Sequence, residues 1–86
     1  MALTAADADR IRPVKEQVED EFLALPGVTG VDIDEVPVDG ALVPGIVVYL
    51  DPAVAGPDVR TRIPASVQGV PVEVRELGVE LQGGQP

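Results

Sequence analysis

The amino-acid sequence predicts a single α+β domain with two layers, in which one main helix and a short second helix pack on one face of a three-stranded sheet. Apolar residues recur at helical spacing over residues 11–25, and three later segments are rich in valine and isoleucine. Hydrophobic residues make up 45% of the 86-residue chain and aromatic residues only 2%, so the core has to be aliphatic. The predicted order is α-β-β-α-β within residues 1–82, and residues 83–86 are expected to form a flexible tail.

The main helix is predicted from a start signal, an apolar stripe and a stop signal. Thr4 followed by Asp7 resembles a capping box with Asp in place of Glu. Spacings of three and four residues place five apolar side chains on one face: Ile11, Val14, Val18, Phe22 and Leu25. Pro13 interrupts this pattern, so we expect a frayed first segment and a main helix near residues 12–25. Pro26-Gly27 is expected to end it.

The first two strands are predicted on either side of a turn. Residues 28–36 alternate, with Val31 and Ile33 on the core face and two aspartates on the other. Residues 37–40, Pro-Val-Asp-Gly, are typical of a turn or short loop. Residues 45–50 are apolar on both faces and are the strongest strand signal, and Pro44 is expected to mark the start of this strand.

The rest of the chain is predicted to cross over and return as a third strand. Residues 57–63 are expected to form a short irregular helix, followed by a turn at residues 64–68. Residues 70–75 alternate, with their valines facing the core, and residues 78–81 are a candidate extension of this strand.

The strand order is left with two alternatives. If the first strand lies between the other two, the sheet is antiparallel in the order 2-1-3, which we prefer. The alternative places strands two and three side by side and parallel. A crossover between parallel strands is expected to be right-handed.

Composition argues against an enzyme and against a cofactor. The chain has no histidine, cysteine, asparagine or tryptophan, so soft metal ligands and most nucleophile–base pairs are unavailable. The single serine, Ser66, and the single lysine, Lys15, could in principle form a Ser–Lys pair, but nothing in the sequence brings them together.

Charge narrows the class of partner. The formal net charge is -9, which repels phosphate backbones and anionic lipid headgroups. No segment has the length of apolar residues that a membrane span needs, and no signal peptide is evident, so the predicted location is cytoplasmic. We therefore expect no nucleic acid and no membrane, but a protein partner or self-association.

A dense acidic cluster suggests a weaker alternative, a binding site for a hard cation. It comprises Asp32, Asp34, Glu35 and Asp39. The EF-hand pattern counted from Asp32 needs glycine at the sixth position and glutamate at the twelfth, where this chain has Pro37 and Val43. The acids are expected to alternate outward along a strand and to be solvated.

The outer face of the predicted sheet is the candidate interaction face. It would carry six residues: Asp32, Asp34, Val47, Tyr49, Glu73 and Arg75. Val47 and Tyr49 are expected to form an exposed apolar strip among charges, unless a second helical segment or residues 1–10 cover it. In the 2-1-3 order, Arg75 could pair with Asp32 or Asp34.

Several segments carry a family resemblance. They are Gly-Val-Thr-Gly-Val at 27–31, Gly-Ile-Val-Val-Tyr-Leu at 45–50, Ile63-Pro64, and Gly-Val-Pro-Val-Glu-Val at 69–74. Over residues 27–77 the chain resembles a small domain of bacterial proteins that often precedes a trypsin-like serine peptidase domain. The family's glycine-rich stretch with a lysine after the first strand is replaced here by residues 32–35, and its lysine closing the second strand by Asp51-Pro52. The resemblance implies a non-catalytic accessory domain.

The sequence thus predicts a small acidic protein-interaction or accessory module that uses the sheet's outer face or an exposed strand edge. The alternative is a regulator or inhibitor of a peptidase, with the proline-rich segment 51–71 as a rigid binding loop.

Overall fold

The computed structural model describes residues 3–76 and has two helices and four strands within them. In chain order these are α1 (Ala5–Leu23), β1 (Val28–Val38), β2 (Ala41–Leu50), α2 (Pro57–Thr61), β3 (Ser66–Val67) and β4 (Val70–Glu76). The α+β class is as predicted, but the sheet is mixed and has four strands in the order β1-β2-β4-β3. The strand extension predicted at residues 78–81 and the tail predicted at 83–86 lie outside the described residues.

Helix α1 is continuous from Ala5, so the predicted frayed first segment is wrong. The capping box is confirmed, because the Asp7 N–H donates to Thr4 Oγ1 at 3.1 Å and the Asp7 carboxylate accepts from the Thr4 N–H. Pro13 lies inside the helix with its ring exposed to solvent. Proline removes one helical hydrogen bond. The buried Ile11 and the other stripe residues pack on the sheet on both sides of it, which holds the helix together through this position.

Strands β1 and β2 form a hairpin that is longer than predicted. Asp39 and Gly40 have φ values of 52° and 83°, as a two-residue turn with two positive φ angles requires. Both strands therefore run up to this turn, and Pro44 lies within β2 and not at its start.

The preferred strand order 2-1-3 is wrong, and the alternative with parallel neighbours is found. β2 pairs antiparallel with β1 and parallel with β4, with Ile46 opposite Val72 and Leu50 opposite Glu76. The tight turn forces β1 and β2 to be neighbours. β2 is apolar on both faces and therefore gains most from the central position.

The predicted turn at residues 64–68 contains an unpredicted short strand. Ser66 and Val67 of β3 pair antiparallel with Pro71 and Val70 of β4. Gln68 and Gly69 have φ values of 51° and 81° and make the second turn of this kind. The Gln68 amide donates to Gln17, which ties this turn to α1.

The core lies between the helices and one face of the sheet. Ile11 and Phe22 of α1 and Val59 of α2 are buried against the sheet. Six strand residues on the helix side belong to or pack against this cluster, and those of β1 and β4 were predicted to face the core: Val31, Ile33, Ile46, Val48, Val72 and Val74. Burying large aliphatic side chains contributes about 1.5–3 kcal/mol each, and this packing is the main source of stability.

The sheet curls over its other face. Val36 and Val47 point away from the helix-side cluster, yet their exposed fractions are only 1% and 0%. β1 and β4 also approach each other, although β2 lies between them in the sheet. The curl therefore shields a second small apolar group without a helix above it.

Candidate functional site

The six residues of the predicted outer face lie on one face of the sheet. Two of them, Val47 and Tyr49, do not form the exposed apolar strip that was expected there. Val47 is completely buried and Tyr49 is half-buried, so the prediction of an exposed Val47–Tyr49 strip is wrong. Within residues 3–76, neither helix covers Val47; both helices pack on the opposite face. On this face the Arg75 side chain reaches from β4 to β1, and β1 and β4 approach each other.

Arg75 bridges the curled face from β4 to β1. Its Nη1 lies 3.2 Å from Asp34 Oδ2, its Nε lies 2.8 Å from Glu73 Oε1, and its Nη2 donates to the Glu35 carbonyl oxygen at 2.8 Å. A pair between Arg75 and Asp34 was expected, although from a different strand order. Arg75 thus offsets part of the charge of Asp34 and Glu73, and the face stays negative because it also carries Asp32.

The bridge shifts the pKa of two of its members. The backbone N–H of Glu35 and then the Arg75 guanidinium lower the pKa of Asp34 below its ordinary value. Partial burial opposes the charged form of Arg75, but hydrogen bonds with Glu73 and Asp34 outweigh it and raise the pKa of Arg75. Both groups are therefore held in their charged forms.

Two aspartate side chains of β1 occupy main-chain N–H groups at the free edge of this strand. The Ile33 N–H donates to Asp32 Oδ1 at 2.8 Å, and the Glu35 N–H donates to Asp34 Oδ1 at 2.7 Å. These donors are two residues apart, so they lie on the same side of the strand. Arg75 also occupies the Glu35 carbonyl, so three main-chain groups in the middle of this edge are unavailable to another strand.

The first half of β2 is open on the side that faces β4. β4 pairs only with residues 46–50 of β2, and within the described part of the chain nothing pairs with residues 41–45 on that side. Pro44 on β2 lacks an N–H. On β4, the Val72 N–H donates to Ala65 on the β3 side. Adjacent residues of a strand direct their main-chain groups to opposite sides, so Pro71 faces β2, and as a proline it has no N–H to donate there. The two prolines end the ladder.

An apolar groove of about 410 Å³ opens where these strands part. Five of its lining residues are valine or proline: Val38, Val43, Pro44, Val70 and Pro71. The end of the β1–β2 hairpin beside it exposes further apolar surface, since Val38 and Leu42 are 39% and 54% exposed. The groove and the open edge of β2 together form the candidate site.

The polar side chains that line the groove are Arg10 and Ser66. Arg10 Nη2 lies 3.5 Å from Asp7 Oδ1, and its side chain is 60% exposed, so it retains free N–H groups. Asp39 follows Val38 at the hairpin turn, so one carboxylate lies next to a residue that lines the groove. Among the described residues that line the groove, Arg10 and Ser66 are the two whose side chains could take part in chemistry.

Sequence reasoning missed this groove because it depends on where β2 and β4 separate. The signal was present in Pro44 and Pro71, which are unable to donate to a ladder. Recognising that signal requires knowing that the two strands are parallel neighbours, and the preferred order placed them apart.

The other sequence candidates are not assembled into a site. Lys15 Nζ lies 3.3 Å from Glu19 Oε2, and neither cavity is lined by Lys15. In residues 3–76, no group of three or more acidic residues is placed to hold a metal ion. Segment 51–71 buries Val59 and Ile63 in the core, so much of it is unavailable as a binding loop.

A second cavity of about 350 Å³ lies at the ends of β2 and β4. It includes Leu50, Pro57 and the ion pair of Arg60 with Glu76, whose atoms lie 2.7 Å apart. The guanidinium of Arg60 and the carboxylate of Glu76 neutralise each other in this cavity.

Comparison of the chain with family models, with curated proteins and with solved structures finds no match. The resemblance to the peptidase-associated domain therefore stays a prediction. Among the described residues, no helix combines the length and the apolarity needed to cross a membrane.

Proposed function

We propose that this protein is a non-catalytic protein-interaction module that docks its partner at the open edge of β2 beside the apolar groove. The observation that carries the proposal is the contrast between two edges of one sheet. Two edge N–H groups of β1, those of Ile33 and Glu35, are occupied by Asp32 and Asp34, whereas residues 41–45 of β2 are unpaired on the β4 side within residues 3–76. An open strand edge next to apolar surface supports partner binding by strand addition.

The composition of the site supports a binding role over a catalytic one. The groove brings together one arginine, one serine and apolar walls, and none of its lining residues within 3–76 is a general base for the serine hydroxyl. Exposed Val38 and Leu42 add the apolar contact area that a protein interface needs at its centre.

Site-specific photo-crosslinking tests this function. A photoreactive amino acid is placed at Leu42 beside the site, or at Val54 as the control, and the full chain is irradiated in its native host. Both positions are well exposed, at 54% and 62%. We expect one dominant protein adduct from position 42 that is absent from position 54. Equal adducts from both positions, or none from position 42, would contradict the proposal.

A further inference from the structure

We infer that the occupant of the groove is an extended peptide segment with apolar residues at alternate positions and lysine or arginine at its flanks. This inference rests on the proposed function and adds the chemistry of the partner. It follows from three properties of the groove: its main-chain acceptors, its walls and the charges around it.

The open edge presents more acceptors than donors. Ile46 pairs with β4, and every second residue of a strand directs its main-chain groups to the same side. The main-chain groups of Pro44 and Leu42, two and four residues before Ile46, therefore also face the β4 side. Pro44 contributes no N–H. The N–H groups of an extended segment can donate to the carbonyl groups of Leu42 and Pro44. Its carbonyl groups find donors in the Leu42 N–H and in the exposed guanidinium of Arg10.

The walls select apolar side chains at every second position of the segment. Successive side chains of a strand point to opposite faces, so those on the outer face of the sheet meet Val38 and Val43. The volume of about 410 Å³ accommodates a few aliphatic side chains.

The surrounding charge selects basic flanks. Asp39 follows the groove residue Val38 at the hairpin turn, and Asp7 forms an ion pair with Arg10, the charged side chain among the described lining residues. The whole chain carries a net charge of -9, which attracts cationic segments and repels acidic ones. The same charge disfavours a second copy of this chain as the occupant.

Selection from a display library of random peptides of about eight residues tests the inference. The full chain is immobilised as wild type, as Val38→Lys in the groove wall, and as Val54→Lys at an exposed site away from it. The two variants change the net charge equally. We expect wild type and Val54→Lys to enrich alternating apolar peptides with basic flanks, and Val38→Lys to bind them at least tenfold more weakly. Binding of the enriched peptides should weaken as sodium chloride is raised.

Four outcomes overturn the inference: no enrichment, enrichment of acidic peptides, equal binding by both lysine variants, or a dimer in sedimentation that Val38→Lys abolishes. The last outcome makes a second copy the occupant. If the Leu42 crosslink succeeds while the selection fails, the docking site stands and the partner chemistry is wrong. If position 42 also gives no specific adduct, the proposed function fails with it.

Discussion

At the scale of single residues, Asp34 links the stability of the protein to pH. Its pKa in the folded chain is lowered by the Glu35 N–H and by Arg75. A carboxyl group whose folded pKa is lowered stabilises the fold above its unfolded pKa of about 3.9, and this contribution disappears as the pH falls through the folded pKa. The side chain is 50% exposed, so solvent screening keeps the effect small.

We therefore expect Asp34→Asn to lower the free energy of unfolding at pH 7 by about 0.2–1 kcal/mol, and by less at about pH 2. Urea unfolding at both pH values measures the difference. In an Arg75→Met background the cost of Asp34→Asn should shrink, because only the hydrogen bond from Glu35 remains. A cost that is the same at both pH values, or that is unaffected by Arg75→Met, would show that the bridge does not act as described.

Two glycines of the hairpin differ in what a methyl group would meet. A Cβ at Gly45 would lie 2.7 Å from the Pro71 carbonyl oxygen and 2.7 Å from Val36 Cγ2, both in the tightly curled region. A Cβ at Gly30 would meet Tyr49 Cδ2 at 3.7 Å, an ordinary contact. We expect Gly45→Ala to cost about 1–3 kcal/mol of unfolding free energy and Gly30→Ala to cost little or nothing. Thermal denaturation of both variants distinguishes them, and equal melting temperatures would argue against the close approach of β2 and Pro71.

At the scale of elements, α1 contains a removable defect. Pro13 is exposed and lies inside a helix of 19 residues, where it lacks the N–H that would bond to the Asp9 carbonyl. We expect Pro13→Ala to raise the free energy of unfolding by about 1–3 kcal/mol, as chemical denaturation would measure. Glu16→Ala, at another exposed position of the same helix, is the control and should change it far less. A destabilised Pro13→Ala variant would mean that the proline serves the packing of α1.

Local patterns predicted the elements and their faces, because each depends on neighbouring residues. The apolar stripe of α1, the Thr4–Asp7 cap and the inward valines of β4 all follow from spacing. Strand order depends on which distant segments meet, and the alternation of β1 fitted either a central or an edge strand. The stronger clue was that β2 is apolar on both faces, as a central strand should be.

The sequence predicted the type of candidate site but not its position. An exposed strand edge was one of two expected docking surfaces, but its position depends on the register of β2 with β4. The burial of Val47 was missed because the curl of the sheet is a property of several strands together, and alternation alone places this valine on an exposed face.

At the scale of the whole molecule, two aspartate side chains occupy N–H groups at the β1 edge, and their charge opposes pairing with another acidic chain. Replacing Asp32 and Asp34 with threonine frees two edge N–H groups and removes two negative charges. We expect this double variant to self-associate at concentrations where wild type does not, as sedimentation velocity would show. Glu16→Thr with Asp20→Thr removes the same charge from an exposed face of α1 and serves as the control. Equal association of the two double variants would assign the effect to charge alone.

The parallel pairing of β2 with β4 has a consequence for how the chain folds. The β1–β2 hairpin closes through a two-residue turn, whereas β4 reaches β2 only after residues 51–69 have been drawn into a loop. Loop closure has to precede the contacts that reward it, so the hairpin and α1 are expected to form before β4 docks. The groove lies between the hairpin, which forms early, and β4, which docks late. A ribosome-bound chain that still lacks β4 would leave the β4-facing edge of β2 unpaired along its whole length.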